Sequence, residues 1–459
     1  MKHLPLFLCL LYFGCTSEKN ASLLSPPPRL QEIVFRAVNV VSMRTDTVLE
    51  AQDVVARNGV IASIGPTGQV AWSDDALVID ASGKFLMPGL AEMHAHVPPH
   101  DDLESMQEVL WLFALNGVTT IRGMLGHPRH LELRDKIRSG EIFGPRLYTA
   151  GPALAGDDIR TPDQAVTAVR AQKQAGYDFL KILMPPLSKE CFAAVVATAH
   201  AVDMPFAGHV PSTVGVRGAI EAGYASIDHL DGFVESLVPG IENMEPDAVG
   251  LFGLFVADKA DTTKIPALIE GLRARQIWVV PTQCLAERWF APGDAPARFL
   301  SAPEMAYMSD DDLEDWSDMR RRITSNQGYD SNVALRFQQV RKQLVAACNK
   351  NGVGLLLGSD APQVYNVPGF SVHHELQYLV EAGLTPYEAL RTGTLNVGRF
   401  FHRPGLGVIE PGAVSDLLLL DSNPLADIRN TRSIAGVLVG DRWLSKAFIG
   451  DALEGVRKR

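Results

Sequence analysis

Two histidines separated by a single residue, His94 and His96, close the stretch Met87-Pro88-Gly89-Leu90-Ala91-Glu92-Met93-His94-Ala95-His96. Side chains alternate along an extended strand, so positions i and i+2 share a face and set two imidazoles side by side, as a metal ion needs them. A His-x-His pair alone is weak evidence, because such a pair arises readily by chance. Four more side chains able to bind or activate something follow, each behind a short apolar run. Lys181 ends Tyr177-Asp178-Phe179-Leu180-Lys181, and His209 follows Pro205-Phe206-Ala207-Gly208. His229 follows Ser226-Ile227-Asp228, and Asp360 follows Leu357-Gly358-Ser359.

The elements that must position these six residues are visible as a change of rhythm. Short β-like segments come first, at 34–41, 48–58, 60–64 and 77–79, bounded by turns such as Arg57-Asn58-Gly59 and Pro66-Thr67-Gly68. From about 90 to 400, apolar strand-like runs (118–121, 146–150, 178–183, 205–207, 226–227, 278–281 and 354–358) alternate with helical stretches (163–175, 189–202, 215–221 and 336–349). After about 403 the chain returns to β character at 407–409, 415–421 and 435–441. This order predicts an α/β protein, a (β/α)8 TIM barrel over 87–402, with a small β-sandwich domain built by both termini, 33–86 with 403–459. In such a barrel, polar residues at the C-terminal ends of the strands converge on one site. The competing architecture is an open doubly wound sheet, which would normally bring a glycine-rich nucleotide turn; no GxGxxG follows an early strand.

One stretch breaks the alternation. Residues 285–333 carry Trp289, Phe290, Phe299, Tyr307 and Trp316 together with the runs Asp310-Asp311-Asp312 and Arg320-Arg321-Arg322. Loops on the C-terminal face border the active site, so a lid is the expectation; a helical excursion that only covers apolar surface is the alternative.

Composition narrows the class. The chain has 459 residues, 46% hydrophobic and 21% charged, as a soluble globular protein does. Its formal net charge of −11 and the lack of a basic tract exclude a nucleic-acid partner. Five cysteines occur, Cys9, Cys15, Cys191, Cys284 and Cys348, with no CxxC, and the last three read as small buried residues rather than a disulfide framework. At the N-terminus, Lys2 and His3 precede an apolar run from Leu4 to Gly14 that is too short to span a bilayer. Gly14-Cys15 followed by Thr16-Ser17-Glu18-Lys19-Asn20 resembles a bacterial lipoprotein processing site. That resemblance implies a signal peptide over 1–15, lipidation of Cys15, a flexible tether over 16–32, and attachment to the periplasmic face of the cell envelope. Tyr12 departs from the pattern, where a Leu is usual, and ordinary secretory cleavage or an uncleaved anchor stays open.

Taken together, the phrases Pro88-Gly89-Leu90, Gly117-Val118-Thr119-Thr120, Gly144-Pro145-Arg146, Ser226-Ile227-Asp228-His229, Gly358-Ser359-Asp360 and the run 407–417 resemble the amidohydrolase superfamily of metal-dependent hydrolases, in the branch of imidazolonepropionase and Xaa-Pro dipeptidase. The resemblance covers the chain from about residue 33 onwards. It implies two divalent cations, with zinc expected. His94, His96 and Asp360 would hold the more buried one and His209 and His229 the other. Lys181, carboxylated, would bridge them: an ammonium cannot ligate a cation, whereas a carbamate offers two anionic oxygens. The implied chemistry is hydrolysis of an amide-type C–N bond in a dipeptide, N-acyl amino acid or cyclic amide. A water bridging the cations would be ionised, with Asp360 taking the proton and returning it to the leaving amine.

Three departures from the family pattern are visible. Ser359 replaces a more usual Thr, Arg122-Gly123 stands where Arg-Asp is common, and Phe206 lies near the place where some dipeptidases carry a carbonyl-contacting Tyr. Ester, lactone or phosphotriester hydrolysis at the same site, or a metal-binding lipoprotein without activity, are the competing readings. Asp157, Asp158, Arg160 and Arg122 are candidates for recognising charged substrate ends, the first three equally for an exposed turn before a helix cap. The substrate is expected to be a small molecule, and relatives tend to form homodimers.

Overall fold

The computed structural model describes residues 24–293 and 295–459. The leader, Cys15 and most of the tether lie outside the described residues.

Five strands precede the central region, and seven more alternate with its helices. The first five are β1 (Glu32–Val41), β2 (Val48–Arg57), β3 (Val60–Pro66), β4 (Leu77–Asp80) and β5 (Phe85–Pro88). They join β13 (Leu417–Leu420), β14 (Ile434–Val439) and β15 (Arg442–Ser445) in one eight-stranded sheet, in the order β15-β14-β13-β5-β1-β2-β3 with β4 beside β1. The two ends of the chain thus share a sheet, and the seam is the antiparallel pair of β5 with β13, Leu418 opposite Met87. A β-sandwich of both termini is the expectation; the strands the two ends contribute pair in this one sheet. The four consecutive leucines of β13 are all buried, and the strand lies between two partners, as a run without polar alternation requires.

The central strands are parallel. β6 (Leu90–Ala95), β7 (Val118–Gly123) and β8 (Arg146–Thr149) form one sheet. β9 (Leu180–Ile182), β10 (Phe206–Gly208), β11 (Ser226–Asp228) and β12 (Trp278–Val280) form another. β6, β7, β9 and β10 are buried along their whole length, polar side chains included. Parallel bridges continue past the sheet edges: Ala150 with Phe179 and Leu154 with Ile182 from β8 to β9, Val279 with Leu355, and Ala95 with Ala361. The segment 354–361, of which 354–358 is the part expected as a strand, is therefore placed between β12 and β6. Its hydrogen bonds run Leu356 N to Val279 O (2.9 Å) on one side and Met93 N to Leu357 O (2.7 Å) on the other.

The helices sit where the periodicity predicts them, at Pro162–Ala175, Lys189–Ala201, Gly215–Ala222 and Ser331–Lys350. Thr161 caps the first through its hydroxyl and Gln164 answers from the third position, the reciprocal capping pair the sequence encodes as Thr-Pro-Asp-Gln. Arg160 belongs to that turn: Arg160 Nε donates to Asp157 O at 2.9 Å, and Asp157, Asp158 and Arg160 are exposed. Residues 285–333 are mostly helical, with Gln283–Phe290, Ala295–Leu300 and Asp310–Thr324. Trp316 and Phe290 from this stretch are buried in the main core. Arg320, the first of three consecutive arginines, is buried too, and donates to the carbonyls of Arg288 (2.8 Å) and Trp289 (2.9 Å). One of the charges that set this segment apart in the sequence thus supplies donors to the otherwise unpaired carbonyl end of a helix.

Candidate metal centre

The six side chains singled out in the sequence meet at the C-terminal ends of the parallel strands. Asp360 is the hub: its Oδ1 lies 2.5 Å from His96 Nε2 and 3.3 Å from His94 Nε2, and its Oδ2 lies 3.9 Å from His229 Nδ1. Lys181 Nζ stands 3.5 Å from His94 Nε2. The rings of His94 and His229 are 4.4 Å apart, and those of His229 and His209 are 4.7 Å apart and near parallel. Ligand atoms of His94, His229 and Asp360 all fall within 4.8 Å of one another. His94, His229, Asp360 and Lys181 are buried, and His96 keeps 20% of its side-chain surface exposed, so it marks the open side.

The backbone that delivers these groups is unusual where it must be. His229, Thr282 and Asp360, each just past a strand, have φ of 62°, 45° and 65°. Non-glycine residues rarely adopt that left-handed region, and its cost is carried by surrounding packing. Part of that packing is Arg341, on the helix Ser331–Lys350. It donates to His229 O and Pro281 O, each at 2.6 Å, and to Gln283 Oε1 at 2.9 Å. At Gly208 (φ 118°) a Cβ would come within 2.5 Å of Ile182 O and 2.7 Å of Lys181 Cδ, so only glycine leaves room for the lysine stem.

Several partners escaped the sequence reading. Asp228 lies between Lys181 Nζ (3.9 Å), His94 Nδ1 (3.2 Å) and Arg122 Nη2 (3.2 Å) and is fully buried. Asp231 Oδ2 sits 2.9 Å from His209 Nδ1 and accepts from Val210 N at 3.0 Å. Thr282 Oγ1 holds His229 Nδ1 at 2.9 Å. Glu92 accepts from Ser359 N (2.8 Å) and Ser359 Oγ (2.5 Å), fastening β6 to the segment that carries Asp360. The Ser in place of Thr therefore keeps the hydroxyl that this link uses. The available signals were positional: Glu92 shares a strand face with His94, and Asp228 and Asp231 flank His229.

Two candidates move. Arg122 is not a substrate-facing group at the rim. It is 1% exposed and donates to Met93 O (2.8 Å) and Ser226 Oγ (3.0 Å) beside Asp228, with the rings of Phe179 and Phe400 each 5.3 Å from its guanidinium carbon. An arginine buried among the parallel strands needs that many acceptors to offset the loss of water. Phe206 is also away from the cluster, buried against Tyr224 with ring centroids 5.0 Å apart. The aromatic that faces the histidines is Phe252, its ring 6.0 Å from His209 at 3° and 5.4 Å from His229. Among the other histidines, His127 caps the helix Pro128–Ser139, and His130 and His373 are buried. Cys191, Cys284 and Cys348 are buried thiols, as expected.

The protonation states suit a cation. Burial pushes the pKa of His94 and of His229 well below the usual value, leaving neutral imidazoles with a free lone pair. Burial opposes the charge on Asp360, but His94 and His96 beside it hold its pKa down to about 2. Burial pulls the Lys181 ammonium down, with Asp228 and Asp360 acting against it. His94 Nδ1 and Asp228 Oδ2 are hidden from solvent without a correctly aligned hydrogen bond, despite lying 3.2 Å apart. A buried set of two or more imidazoles, carboxylates and a lysine, incompletely satisfied by one another, fits a divalent cation.

Fold and site together define an α/β protein with a candidate metal centre, and comparison with known proteins is specific. Residues 85–444 match the model of the amidohydrolase family, and the chain belongs to that family. It is 22% identical to the ochratoxinase of Aspergillus niger over 444 residues, which takes in 81% of this chain and 78% of that one. Among solved structures, bottromycin amidohydrolase superposes with a TM-score of 0.70 at 21% identity, covering 93% of this chain and 90% of that chain. A Xaa-Pro dipeptidase with bound methionine in its active site superposes with a TM-score of 0.62 at 19% identity, covering 90% and 100%. At these identities the likeness is one of fold.

Proposed function

We propose that this protein hydrolyses an amide-type C–N bond in a dipeptide, an N-acyl amino acid or a related amide, at a binuclear centre. The observation that carries the reading is the convergence of His94, His229 and Asp360 within 4.8 Å, with Lys181 buried beside them. His94, His96 and Asp360 would hold one divalent cation, His209 and His229 the other, and Lys181, as a carbamate, would join them; zinc is the cation that this mixture of imidazole and carboxylate favours. A neutral lysine amine is the form that reacts with carbon dioxide, and burial drives Lys181 in that direction. When bound, the cations supply Lewis acidity that ionises water near neutral pH and polarises a carbonyl.

The chain's own residues do the rest. Asp360, anionic and hydrogen-bonded to His96, takes the proton of the attacking water and returns it to the departing nitrogen. Asp231 and Thr282 fix the ring planes of His209 and His229. Phe252 stacks against His209 and His229 and covers one side of the cluster. The reading extends to closure of β6–β12 and the segment 354–361 as a (β/α)8 barrel, which the bridges from β8 to β9 and from Ala361 to Ala95 support. It also extends to residues 285–333 as a cover over that face and to Cys15 as the lipidated residue. The activities named for the bottromycin amidohydrolase and Xaa-Pro dipeptidase neighbours favour C–N over ester cleavage.

The test is elemental analysis of the purified protein joined to a panel of dipeptides, N-acyl amino acids, esters and lactones. Two equivalents of metal with turnover of amides is the expected result. Stoichiometric metal with turnover of esters alone would replace the amide reading. A metal-replete protein inert to the whole panel would reject an enzymatic role.

A further inference from the structure

The opposite end of the central strands carries a second feature. A cavity of about 370 Å³ opens between the strand starts and the terminal sheet. Its lining includes Thr119 and Leu147 near the beginnings of β7 and β8 and Asp178 ahead of β9, whereas His209, His229 and Asp360 follow their strands. The two sites therefore lie at opposite mouths of the same set of strands.

The lining is strongly cationic. Six arginines, Arg29, Arg134, Arg138, Arg146, Arg403 and Arg442, face three aspartates, Asp178, Asp416 and Asp441, an excess of three positive charges. This stands in a chain whose net charge is −11. Each aspartate engages one arginine: Arg134 with Asp178 at 3.0 Å, Arg146 with Asp416 at 3.4 Å, and Arg29 with Asp441 at 3.4 Å. Arg403 has no such partner in the lining and lies over the ring of Tyr148, 5.8 Å from its centroid. Tyr148 is itself stacked on Phe401 at 3.8 Å, which fixes its ring. Three polar atoms of these lining residues, Arg134 Nε, Arg146 Nε and Tyr148 Oη, are hidden from solvent with no hydrogen-bond partner among the described residues. All three are donors. Burial raises the Tyr148 pKa, so its hydroxyl keeps its proton. Guanidinium forks with a tyrosine hydroxyl are the donor set that recognises a tetrahedral oxyanion, and unsatisfied donors beside excess positive charge call for an acceptor that is itself negative.

We propose that this cavity is a binding site for a phosphate-class oxyanion, whether a free phosphate, a soluble phosphomonoester or the phosphate of a lipid headgroup. The volume leaves room for an organic substituent on the phosphate. Arg29 and Arg442, the latter donating to Pro27 O, tie the site to the last residues of the segment expected as the tether, so occupancy would also order the start of the folded chain.

The test is isothermal titration of the metal-loaded full chain with inorganic phosphate and with glycerol phosphate, against chloride at matched ionic strength. Saturable one-to-one binding is expected, weakened about tenfold in Arg403→Gln and in Tyr148→Phe. Both variants should keep the metal content of the parent. A vesicle arm, using the Cys15→Ser chain to remove the proposed acylation, compares phosphatidylglycerol with phosphatidylcholine. Retention on the former alone assigns the site to lipid headgroups, and retention on neither, with soluble binding intact, assigns it to free phosphoesters. Absence of saturable binding of any of these probes overturns the proposal. So does equal phosphate affinity in the Arg403→Gln/Tyr148→Phe double variant, because the anion would then be sitting at the metal centre.

Discussion

At the scale of single residues, the site separates groups that would bind cations from groups that would move protons, and Asp360 belongs to both. Replacing its carboxylate by an amide keeps an oxygen donor and removes the basic site. Asp360→Asn should therefore retain metal by elemental analysis while turnover falls about 10²- to 10⁴-fold, the range for loss of a positioned acid–base group. Turnover equal to the parent would remove Asp360 from the chemistry. Lys181 makes a different prediction. Its Nζ is enclosed with Asp228 and His94 on either side, and Lys181→Gln can form no carbamate. That variant should lose about half of the bound metal. Partial recovery with added short carboxylic acids would distinguish a missing ligand from a collapsed pocket. Asp228 acts through others: it holds the position of Lys181, His94 and Arg122 and would touch no substrate.

Elements deliver these groups through close approaches that tolerate little change. The clearest is the parallel pairing of β10 with β9, where the hydrogen of Gly208 faces the Lys181 stem. Gly208→Ala forces a carbon to within 2.5 Å of a backbone carbonyl oxygen, which cannot yield as a side-chain end can. The expected result is a drop in metal content together with a lower midpoint of thermal unfolding; a variant with parental metal and melting temperature would contradict the packing described. Arg320 offers an element-scale test remote from the chemistry. Its guanidinium ends the helix Gln283–Phe290 by donating to two of its last carbonyls, and Arg320→Met leaves them buried and unpaired. A loss of about 2–4 kcal/mol is expected in urea unfolding, from two buried acceptors left without donors.

Across the whole molecule, stability depends on keeping buried histidines neutral. His373 joins the helix Phe370–Glu381 to Asn116 O (3.0 Å) and Thr431 Oγ1 (2.9 Å), and burial lowers its pKa to about 3. Its folded pKa lies below its unfolded one, so the unfolded chain binds the extra proton between the two values. The contribution is fully present above pH 6.5 and is lost as pH falls from there towards 3. By pH 5 this residue alone should cost about 2 kcal/mol relative to pH 8. Urea titrations at the two pH values should show that difference in the parent chain and a smaller one in His373→Gln; identical differences would place the acid sensitivity elsewhere. Two fully buried carboxyls, Glu92 and Glu375, run the other way. Burial raises them to about 8 and about 7, and each loses its contribution as pH rises from the unfolded value towards those.

The sequence by itself determined the alternation of parallel strands and helices, the β character of both ends, and the six polar side chains at strand ends. These are legible because each depends on local pattern: two-residue alternation that pairs His94 with His96, capping pairs such as Thr161 with Gln164, and apolar runs that stop at a charged residue. Only the tertiary structure decided which charges are structural. Arg122 and Arg320 stand out in the sequence as a rim candidate and a member of a charged run, yet both are buried, as is Arg341, because their acceptors include backbone carbonyls that no residue type announces. Phe252 faces the histidines and Phe206 does not, since that is set by a left-handed turn at Phe252 (φ 58°) rather than by distance along the chain. The arginine-lined cavity was invisible for the same reason. Its six cations come from widely separated parts of the chain, from residue 29 to residue 442, and become one electrostatic object only when the terminal sheet closes over the strand starts.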